Sequence, residues 1–504
     1  MNGQAVADNT PILVGAGQVV ERGVTDDSPL ALAAEAARRA LAHAGGSDLV
    51  AAIDTISVTR LFTDSMGMPP CPFGRSDNPP MSVARAIGAE PAHCIYGLVG
   101  GTEPQSRIIE FAGAIARGER SVVLLAGAEA IRNQRNAQRD GRALDWSETF
   151  DKTEFPLDDR GWCEMFVTMQ EVHNGLLAPV SYYALIEQAR AFAAERSTQE
   201  QQLQMARLLL ALNKVATSNP YAQFPATLST EDILGADLLN HLYTKRMVAQ
   251  DGVNQGAALL MCSVGAARRL GIPREHWVFI HGLAEGADVN LSEREDLGRS
   301  MMAERVLEHE LSMAARAVDE IELIDLYSCF PCAVSSAAEA LGLPVDGSRT
   351  LTLTGGLAYF GGAGNNYSMH ALAEAVSRLR ESPEATALVA ALGGFLSKHA
   401  VGVYSCQPSS LDCAKADTTV KTDLIPRRQI DEAPQAGFVQ SHVVNYKGGA
   451  PVQAVVLAET VAGKRFVANA TDPAAVAAVL AGKSAGLAIN VTAGDNGALH
   501  FMPA

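Results

Sequence analysis

The sequence predicts an α/β protein with two related α/β halves, a helical insertion in the first half and a small β-barrel on the C-terminal side. Three observations carry this prediction. Short apolar strands alternate with helices in two separate series. The region between the series is richer in charge and in helices, and the region after them consists of short strands joined by tight turns. With 504 residues, the chain is long enough for about three domain-sized units.

The first half, residues 1–268, contains the first series. Its predicted strands are residues 11–17, 53–58, 93–97 and 121–127, and its predicted helices are residues 30–44 and 104–117. Ser28 is placed to cap the first of these helices, and Gly45 to end it. Short apolar strands joined by helices predict a mostly parallel sheet with both faces covered.

Residues 130–245 interrupt this half as a helical insertion. Its long helices are predicted at residues 182–195 and 199–217, and Ser197 and Glu200 form a capping-box pattern at the start of the second helix. The strand that resumes the sheet is predicted at residues 256–263.

The second half, residues 269–406, repeats the alternation. Its predicted strands are residues 277–282, 322–327, 386–392 and 401–405, and its predicted helices are residues 300–317, 333–341 and 367–380. Two series with the same plan predict an internal duplication.

The C-terminal region has a different texture. Residues 407–435 are polar and contain Pro408, Pro426 and Pro434, which predicts a linker open to proteolysis. Residues 436–504 contain five predicted strands with tight turns and one helix at residues 473–481. This pattern predicts a small OB-like barrel that behaves as a separate domain.

Composition and charge narrow the class of partner. The chain has 40 Lys and Arg against 56 Asp and Glu, a formal net charge of −16, which disfavours nucleic acid and anionic membranes. No apolar run is long enough to span a bilayer, and residues 1–10 lack the features of a signal peptide. The eight cysteines are irregularly spaced, unlike a secreted disulfide framework. We therefore expect a cytoplasmic protein with reduced thiols.

Several segments resemble the thiolase superfamily, and together they cover about residues 8–405. These segments are residues 111–129, 179–185 (PVSYYAL), 218–223 (SNPYAQ), 251–258 (DGVNQGAA), 323–333 (LIDLYSCFPCA), 355–357 (GGL) and 360–362 (FGG). The chain is most similar to the thiolase-like protein type 1 group, often labelled acetyl-CoA acetyltransferase, which also carries an appended C-terminal domain. The resemblance implies a five-layered α-β-α-β-α fold with a loop domain over a coenzyme A (CoA) site. It also implies a homodimer, with a monomer left open.

The residues that thiolase chemistry needs are missing. That chemistry uses a cysteine thiolate at a helix N-terminus and a histidine base. The cysteine position falls on the segment Gly100-Gly101-Thr102-Glu103, and the nearest cysteine, Cys94, is predicted to be a buried core thiol. The Gly-His-Pro loop reads Gly361-Gly362-Ala363, and the terminal Cys-x-Gly loop reads Ala-Leu-Gly-Gly at residues 391–394. A standard thiolase mechanism is therefore not expected.

Polar residues in three loops of the second half are the alternative candidates. The predicted catalytic residues are His370, His399, Tyr327, Cys329 and Asn365, and the predicted contacts to a CoA thioester are Gly101, Gly362, Gly394 and Asn366. In a thiolase fold these loops converge, so one pocket is expected to hold His370, His399, Tyr327 and Cys329. The competing interpretation is that the histidines cap or pack. A redox or zinc role for Cys329 and Cys332 is weaker than packing, and no metal site is expected.

Two functions follow from these residues. The first is an acyltransferase that acts on an acyl-CoA, and the second is a catalytically silent fold that holds acyl-CoA or supports a partner. No tightly bound cofactor is expected in either case. The CoA phosphates are expected to lie against the insertion, with Arg190, Arg196, Arg207 and Lys214 as candidates. The His370→Ala change is expected to abolish turnover and to leave CoA affinity within about tenfold.

Overall fold

A mixed β-sheet built from both halves of the chain is the centre of the molecule. The computed structural model describes residues 6–65, 68–162, 166–481 and 484–504, and Cys163 lies outside these ranges. The elements before the insertion are β1 (Pro11–Val20), α1 (Pro29–Ala44), α2 (Leu49–Ala52), β2 (Thr55–Val58), α3 (Pro79–Ile87), β3 (His93–Tyr96), α4 (Glu103–Ala116) and β4 (Val122–Ala130). The predicted cap of α1 is confirmed, because the Ser28 hydroxyl accepts a hydrogen bond from the Ala31 amide and Gly45 ends the helix with φ +74°.

The insertion and the two elements after it complete the first half. They are α5 (Ile131–Asp140), β5 (Asp158–Asp159), α6 (Met169–His173), α7 (Pro179–Ala193), α8 (Thr198–Ser218), α9 (Thr230–Leu234), β6 (Asn254–Ser263) and α10 (Val264–Arg269). The capping box of Ser197 and Glu200 at the start of α8 is confirmed. The short strand β5 pairs with the outer edge of β3.

The second half contains β7 (Val278–Ala287), α11 (Met301–Ala314), β8 (Leu323–Leu326), α12 (Pro331–Ala340), α13 (Tyr367–Glu381), β9 (Thr386–Gly393) and β10 (Lys398–Ser405). The internal duplication is visible in the sheet. The series β2-β4-β6-β1 and the series β8-β9-β10-β7 repeat the same pairings, which are one parallel pair followed by two antiparallel pairs. The two series meet where β1 pairs with β7 at Ile12–Phe279 and Leu13–Val278.

The expectation of a mostly parallel sheet is wrong for β1, β6, β7 and β10, which pair antiparallel. For β10 the physical reason is the length of its connection to β9. A turn of a few residues joins β9 to β10, and a short turn permits only antiparallel pairing, whereas a parallel neighbour needs a long crossover.

Helices cover the sheet in layers. The apolar faces of α1 and α3 pack outside the first half, and those of α11 and α12 pack outside the second half. Between the two halves lie α4 and α13, whose apolar side chains meet in one buried cluster. This is the five-layered α-β-α-β-α arrangement that the resemblance to thiolases implies.

The C-terminal region folds as a closed barrel. Its elements are β11 (Thr419–Val420), β12 (Ala436–Lys447), β13 (Ala450–Glu459), β14 (Arg465–Ala470), α14 (Pro473–Leu480), β15 (Ala488–Ala493) and β16 (Leu499–Pro503). The order of the barrel strands is β12-β13-β14-β16-β15, whereas β11, which lies in the predicted linker, pairs with β7. The domain boundaries at 268, 406 and 435 stay predictions.

The barrel packs against the insertion. Val443 and Leu457 of the barrel share one apolar cluster with Tyr182 of α7. The Ser441 hydroxyl donates to the Leu185 carbonyl at 2.6 Å, across 256 residues of sequence. None of the helices in the described ranges combines the length and apolar character needed to cross a bilayer.

Candidate functional site

The start of α4 is the position that a nucleophilic cysteine would need, and here it holds Gly101. A Cβ atom at Gly101 would collide with the Tyr327 hydroxyl and the Leu392 carbonyl oxygen. A cysteine side chain therefore fits at this position only if both Tyr327 and the Leu392 backbone move. We call the region bounded by the following residues the Gly101 slot: Gly100, Gly101, Thr102, Tyr327, Leu392, Gly393 and Lys398.

Hydrogen-bond donors surround the Gly101 slot. The Lys398 ammonium donates to the Val99 carbonyl at 3.2 Å and lies 3.1 Å from the point that a Cβ atom at Gly100 would occupy. Thr102 stands at the N-cap position of α4, but its side chain makes no capping hydrogen bond to a described residue. The Ser368 hydroxyl donates to the Gly101 carbonyl. An ammonium ion and a helix N-terminus both favour negative charge at this place.

Two carboxyl groups, of which Glu103 is buried and Glu285 half-buried, lie beside the Gly101 slot. Glu103 accepts a hydrogen bond from the Leu98 amide at 2.9 Å, and Glu285 accepts one from the Ser106 hydroxyl at 2.7 Å. Burial raises the pKa of both carboxyls, and the charges of Arg107 and Lys398 act in the opposite direction on each pKa. Glu103 is also paired with Arg107 at 3.0 Å.

Tyr327 joins the Gly101 slot to a small cavity. The cavity has a volume of about 20 Å³, and Tyr327, Leu392 and His399 are among its lining residues. A volume of this size holds about one water molecule. Burial raises the pKa of the Tyr327 hydroxyl, so this group is a neutral donor at physiological pH.

His399 lines the same cavity but is engaged elsewhere. Its Nε2 atom lies 3.0 Å from the Ser300 hydroxyl and 3.3 Å from the Leu396 carbonyl oxygen. The Ser300 hydroxyl donates to Asp288 at 2.6 Å, so Nε2–H is the donor to Ser300. Burial lowers the pKa of His399 to about 4. The structure thus brings His399 and Tyr327 together, with a neutral imidazole.

His370 lies in the middle helix layer, fully buried. Its Nδ1 atom donates to the Gln18 amide oxygen at 2.8 Å, and the Gln18 amide nitrogen donates to Glu374 at 2.9 Å. Its ring packs edge-on against Phe360, and burial lowers its pKa to about 3. These contacts are with β1 and the loop before α13, and they do not include residues of the Gly101 slot. The catalytic role of His370 stays a prediction.

The two asparagines before α13 hold backbone groups of the first half. Asn365 accepts from the Gly100 amide at 2.9 Å and donates to the Arg60 carbonyl at 2.9 Å and to the Ser65 hydroxyl at 3.2 Å. Asn366 donates to the Gly127 carbonyl at 2.7 Å and makes no side-chain cap to α13. Asn365 is therefore in contact with the Gly101 loop, through Gly100.

Of the remaining predicted contacts, Gly394 lies near the Gly101 slot, because its neighbour Gly393 packs against the Gly101 amide. The Gly362 amide donates to the Gln250 carbonyl at 2.8 Å. Cys329 is half-buried, and burial raises its pKa to about 12.

The other two cysteines singled out in the sequence are buried. The Cys332 sulfur donates to the Tyr183 carbonyl at 3.7 Å, within the apolar cluster of the second half. The predicted burial of Cys94 on β3 is confirmed, and it raises the pKa of this thiol to about 11.

Sequence reasoning missed Lys398, Thr102, Ser368 and Glu103. Lys398 lies between Ser397 and His399, in a polar triplet that follows a glycine turn. From the sequence, a catalytic role was predicted only for the histidine of this triplet. Thr102 and Glu103 belong to the segment that replaces the cysteine. A polar residue inside a loop that is already assigned to the site is the sequence signal that could have identified them.

The basic side chains of the insertion differ in exposure and in ion pairing. Arg190 is paired with Glu339 and donates to the Gly298 carbonyl. Arg207 and Lys214 are exposed on α8 and form no ion pair within the described ranges. Their spacing of seven residues puts them on one face of this helix.

Comparisons with known proteins agree on the fold. The family described as thiolase-like protein type 1 additional C-terminal domain matches residues 418–496. The chain is similar to the crystal structure of a monomeric SCP2-thiolase like protein type 1 from Mycobacterium smegmatis. Identity is 35%, the TM-score is 0.84, and 99% of this chain and 100% of that chain are covered.

Two further relatives are more distant. Human mitochondrial 3-ketoacyl-CoA thiolase is 14% identical with a TM-score of 0.55, over 79% of this chain and 100% of that chain. An acetyl-CoA acetyltransferase of Methanothermobacter thermautotrophicus is 24% identical over 233 residues, which are 45% of this chain. The match spans about half of that enzyme, 52% of its length.

Proposed function

Because the chain belongs to the SCP2-thiolase-like protein type 1 family, we propose that it binds an acyl-CoA thioester and acts on it as an acyltransferase that forms no acyl-cysteine. The single observation that carries this proposal is the Gly101 slot, where the Tyr327 hydroxyl and the Leu392 carbonyl occupy the space of a nucleophile. The thioester carbonyl lies beside the Tyr327 hydroxyl and the Lys398 ammonium, outside the space that Tyr327 and Leu392 fill at Gly101, and the acyl group passes from the CoA sulfur directly to the acceptor.

The donors at the Gly101 slot support polarisation of a thioester carbonyl. The Tyr327 hydroxyl is kept neutral by burial and can donate to an oxygen on which negative charge develops. The Lys398 ammonium and the N-terminus of α4 add positive potential at the same place. Removing one such donor in other enzymes lowers kcat by about 10²- to 10³-fold.

The CoA moiety extends from the Gly101 slot towards α8. Its pantetheine arm passes Gly394, and Arg207 and Lys214 meet the phosphates, since both side chains are exposed on one helix face. Arg190 is a weaker candidate than the sequence predicted, because Glu339 already neutralises it. We propose that the pantetheine arm also contacts Gly362 and Asn366, as the sequence predicted.

A second candidate function is a catalytically silent acyl-CoA-binding protein. The observation that favours it is the state of the two predicted histidine bases. His370 and His399 are both buried, and burial lowers their pKa to about 3 and about 4, respectively. A histidine with so low a pKa is a weak base, so proton transfer would depend on Lys398 or on the carboxyls of Glu103 and Glu285.

We propose a monomer in the cytoplasm. The outer edge of β3 is covered by β5 of the same chain, and the Arg160 amide donates to the Tyr96 carbonyl beside this pair. A paired edge offers no unpaired strand to a second copy. The described cysteines are free thiols, which is compatible with a reducing compartment.

Mass spectrometry of the protein with a panel of acyl-CoAs tests the proposal. We expect binding of the thioester and release of CoA in the presence of an acceptor, with no acyl adduct on any cysteine. Tyr327→Phe should lower turnover by at least tenfold and change the Kd of the thioester by less than threefold, whereas Tyr446→Phe in the barrel should change neither. A stable acyl-cysteine on the wild type would overturn the proposal. Binding without turnover would leave the silent function.

A further inference from the structure

A chain of side-chain hydrogen bonds runs beside Tyr327, from Asp325 of β8 to Tyr367 at the start of α13. The Thr352 hydroxyl donates to the Asp325 carboxylate at 3.0 Å. The hydroxyl oxygens of Thr352 and Thr354 lie 3.2 Å apart, and those of Thr354 and Tyr367 lie 2.6 Å apart. These four side chains are buried, so they are the hydrogen-bond partners of one another in place of water.

The supply of hydrogens fixes the direction of this hydroxyl chain. A hydroxyl has one hydrogen to donate, and an ionised carboxyl only accepts. Thr352 gives its hydrogen to Asp325, so Thr354 must donate to Thr352. By the same count Tyr367 must donate to Thr354. The negative charge of Asp325 therefore sets the orientation of every hydroxyl as far as Tyr367.

The segment that carries the two threonines is held in place by its own backbone. The Gly355 amide donates to the Thr352 hydroxyl at 3.0 Å, and the Gly356 amide donates to the Thr354 hydroxyl at 3.2 Å. Gly355 lies so close to Ala216 of α8 that a Cβ atom would collide with it. Each threonine hydroxyl thus has its hydrogen and both acceptor positions in use, which makes the network stiff.

The far end of the hydroxyl chain supports Tyr327. The Tyr327 ring packs edge-on against the Tyr367 ring, at 5.3 Å between centroids and 87° between planes. Under the proposed function the Tyr327 hydroxyl donates to the thioester oxygen, so packing has to hold its ring. Tyr367 cannot swing away from this contact while its own hydroxyl is bonded to Thr354.

From this chain and its contact, we infer that Asp325 is a positioning residue for Tyr327. Its charge acts along the hydroxyl chain and keeps the Tyr327 hydroxyl where it donates to the thioester oxygen, although Asp325 does not touch the substrate. This inference rests on the proposed function, because that function gives Tyr327 its role.

The charge of Asp325 depends on pH in an accessible range. Burial raises the pKa of this carboxyl to about 6, against the hydrogen bonds it accepts and the charge of Arg378 on α13. On β9 its partner is the apolar Val389, and Tyr367 is its titratable neighbour on α13. A protonated carboxyl can itself donate, so the direction of the chain is lost as the pH falls through about 6.

Steady-state kinetics with the acyl-CoA that the wild type turns over fastest tests the inference. Asp325→Asn and Thr354→Val should each lower kcat at least tenfold and change KM less than threefold. Thr354→Ser keeps the hydroxyl and should keep the kcat of the wild type. The wild-type kcat should fall below about pH 6, and Asp325→Asn should lack this dependence.

Thr244→Val is the matched control. Thr244 is fully buried, and its hydroxyl donates to the Ile233 carbonyl at 2.7 Å, outside the hydroxyl chain. This variant loses one buried hydroxyl, as Thr354→Val does, and should keep the kcat of the wild type. An equal fall of kcat in both variants would mean a general loss of packing and would overturn the inference.

Carbon-13 NMR of the whole chain, labelled at the ζ carbon of tyrosine, gives a readout that does not need turnover. Tyr327→Phe and Tyr367→Phe assign the two resonances. We expect both resonances of the wild type to titrate with a midpoint near pH 6 and neither to titrate in Asp325→Asn. Thr354→Val should shift both resonances, and Thr354→Ser should restore them.

The outcomes separate the inference from the proposed function. If Tyr327→Phe lowers kcat but Asp325→Asn and Thr354→Val do not, or if the Tyr327 resonance is the same in these two variants as in the wild type, the inference is overturned and the proposed function stands. If the wild type binds thioesters without turnover, the acyltransferase fails and the inference fails with it. If Asp325→Asn does not fold, the comparison of Thr354→Val with Thr354→Ser decides.

Discussion

The two helices of the middle layer begin in opposite ways. Each precedes the equivalent strand of its half, α4 before β4 and α13 before β9, and each follows a glycine turn with positive φ, at Gly100 and Gly364. At the start of α13 the asparagine side chains are bonded to the backbone of the other half. At the start of α4 the Thr102 side chain makes no capping bond, and a tyrosine of the other half fills the space beside Gly101.

This contrast separates polar side chains that hold the two halves together from a buried polar side chain, that of Thr102, that caps no helix. A polar loop in the sequence is compatible with either role, and the hydrogen-bond partners decide between them. The free energy of unfolding of variants at these positions tests the contrast.

The largest expected effect is at the start of α13. Asn365→Ala removes three hydrogen bonds and leaves the Gly100 amide, the Arg60 carbonyl and the Ser65 hydroxyl without this partner. We expect the free energy of unfolding to fall by about 3 kcal/mol. The matched change at the start of α4, Thr102→Ala, should cost less than about 0.5 kcal/mol. Guanidinium unfolding measures both, and equal losses would contradict the contrast.

A side chain at Gly101 should be costly because the place is already filled. Gly101→Cys brings its Cβ atom against the Tyr327 hydroxyl and the Leu392 carbonyl, so we expect a loss of about 2 kcal/mol. Gly101→Cys should cost less stability when it is introduced into Tyr327→Ala than when it is introduced into the wild type. Thiol titration and unfolding of the four proteins measure this coupling. If Gly101→Cys is as stable as the wild type, Tyr327 does not occupy the space.

The buried histidine of α13 should make stability depend on pH. The pKa of His370 is lowered to about 3 in the folded protein, below its ordinary value of 6.5, so the unfolded chain binds the proton first. Its contribution is complete above about pH 6.5 and is lost as the pH falls. Between pH 6 and pH 5 we expect a loss of about 1 kcal/mol from this residue.

The comparison of the wild type with His370→Gln isolates this contribution, because the other histidines are present in both proteins. The variant should lose less stability between the two pH values. His93→Gln, at an exposed position, should keep the slope of the wild type. Identical slopes for His370→Gln and the wild type would mean that His370 is accessible to protons in the folded state.

The smallest expected effect on stability is that of Tyr327→Phe. The ring keeps its edge-on contact with Tyr367, at 5.3 Å between centroids, and only the hydroxyl is lost. We expect a change within about 0.5 kcal/mol by thermal or denaturant unfolding. A much larger loss would place the Tyr327 hydroxyl among the structural groups, with Asn365.

Local patterns predicted much of the fold. Ser28 and Gly45 delimit α1, and the capping box at Ser197 delimits the start of α8, because these signals act within one helical turn. The antiparallel pairing of β6 and β10 was missed, since strand direction depends on how each strand returns to the sheet. The resemblance to thiolases supplied the layers, which periodicity alone does not encode.

The candidate site was harder to predict. Tyr327 and Gly101 were both singled out, but their contact joins residues that are far apart in sequence, and only the fold shows it. His370 and His399 were predicted to be catalytic because of their imidazole chemistry. The burial that lowers their pKa is a property of the folded environment, which the sequence does not show. Lys398 was not predicted as a site residue, because its position near Gly100 is evident only in the fold.

The contact between the barrel and α7 has a consequence for synthesis of the chain. Leu185 is made 256 residues before Ser441, its partner in the barrel. At about 5–20 residues per second, a ribosome needs roughly 10 to 50 seconds for that distance. During this interval the apolar side chains of α7 that meet the barrel face water or a chaperone. Slow translation of the second half should therefore increase aggregation of the nascent protein, and a barrel supplied in trans should reduce it.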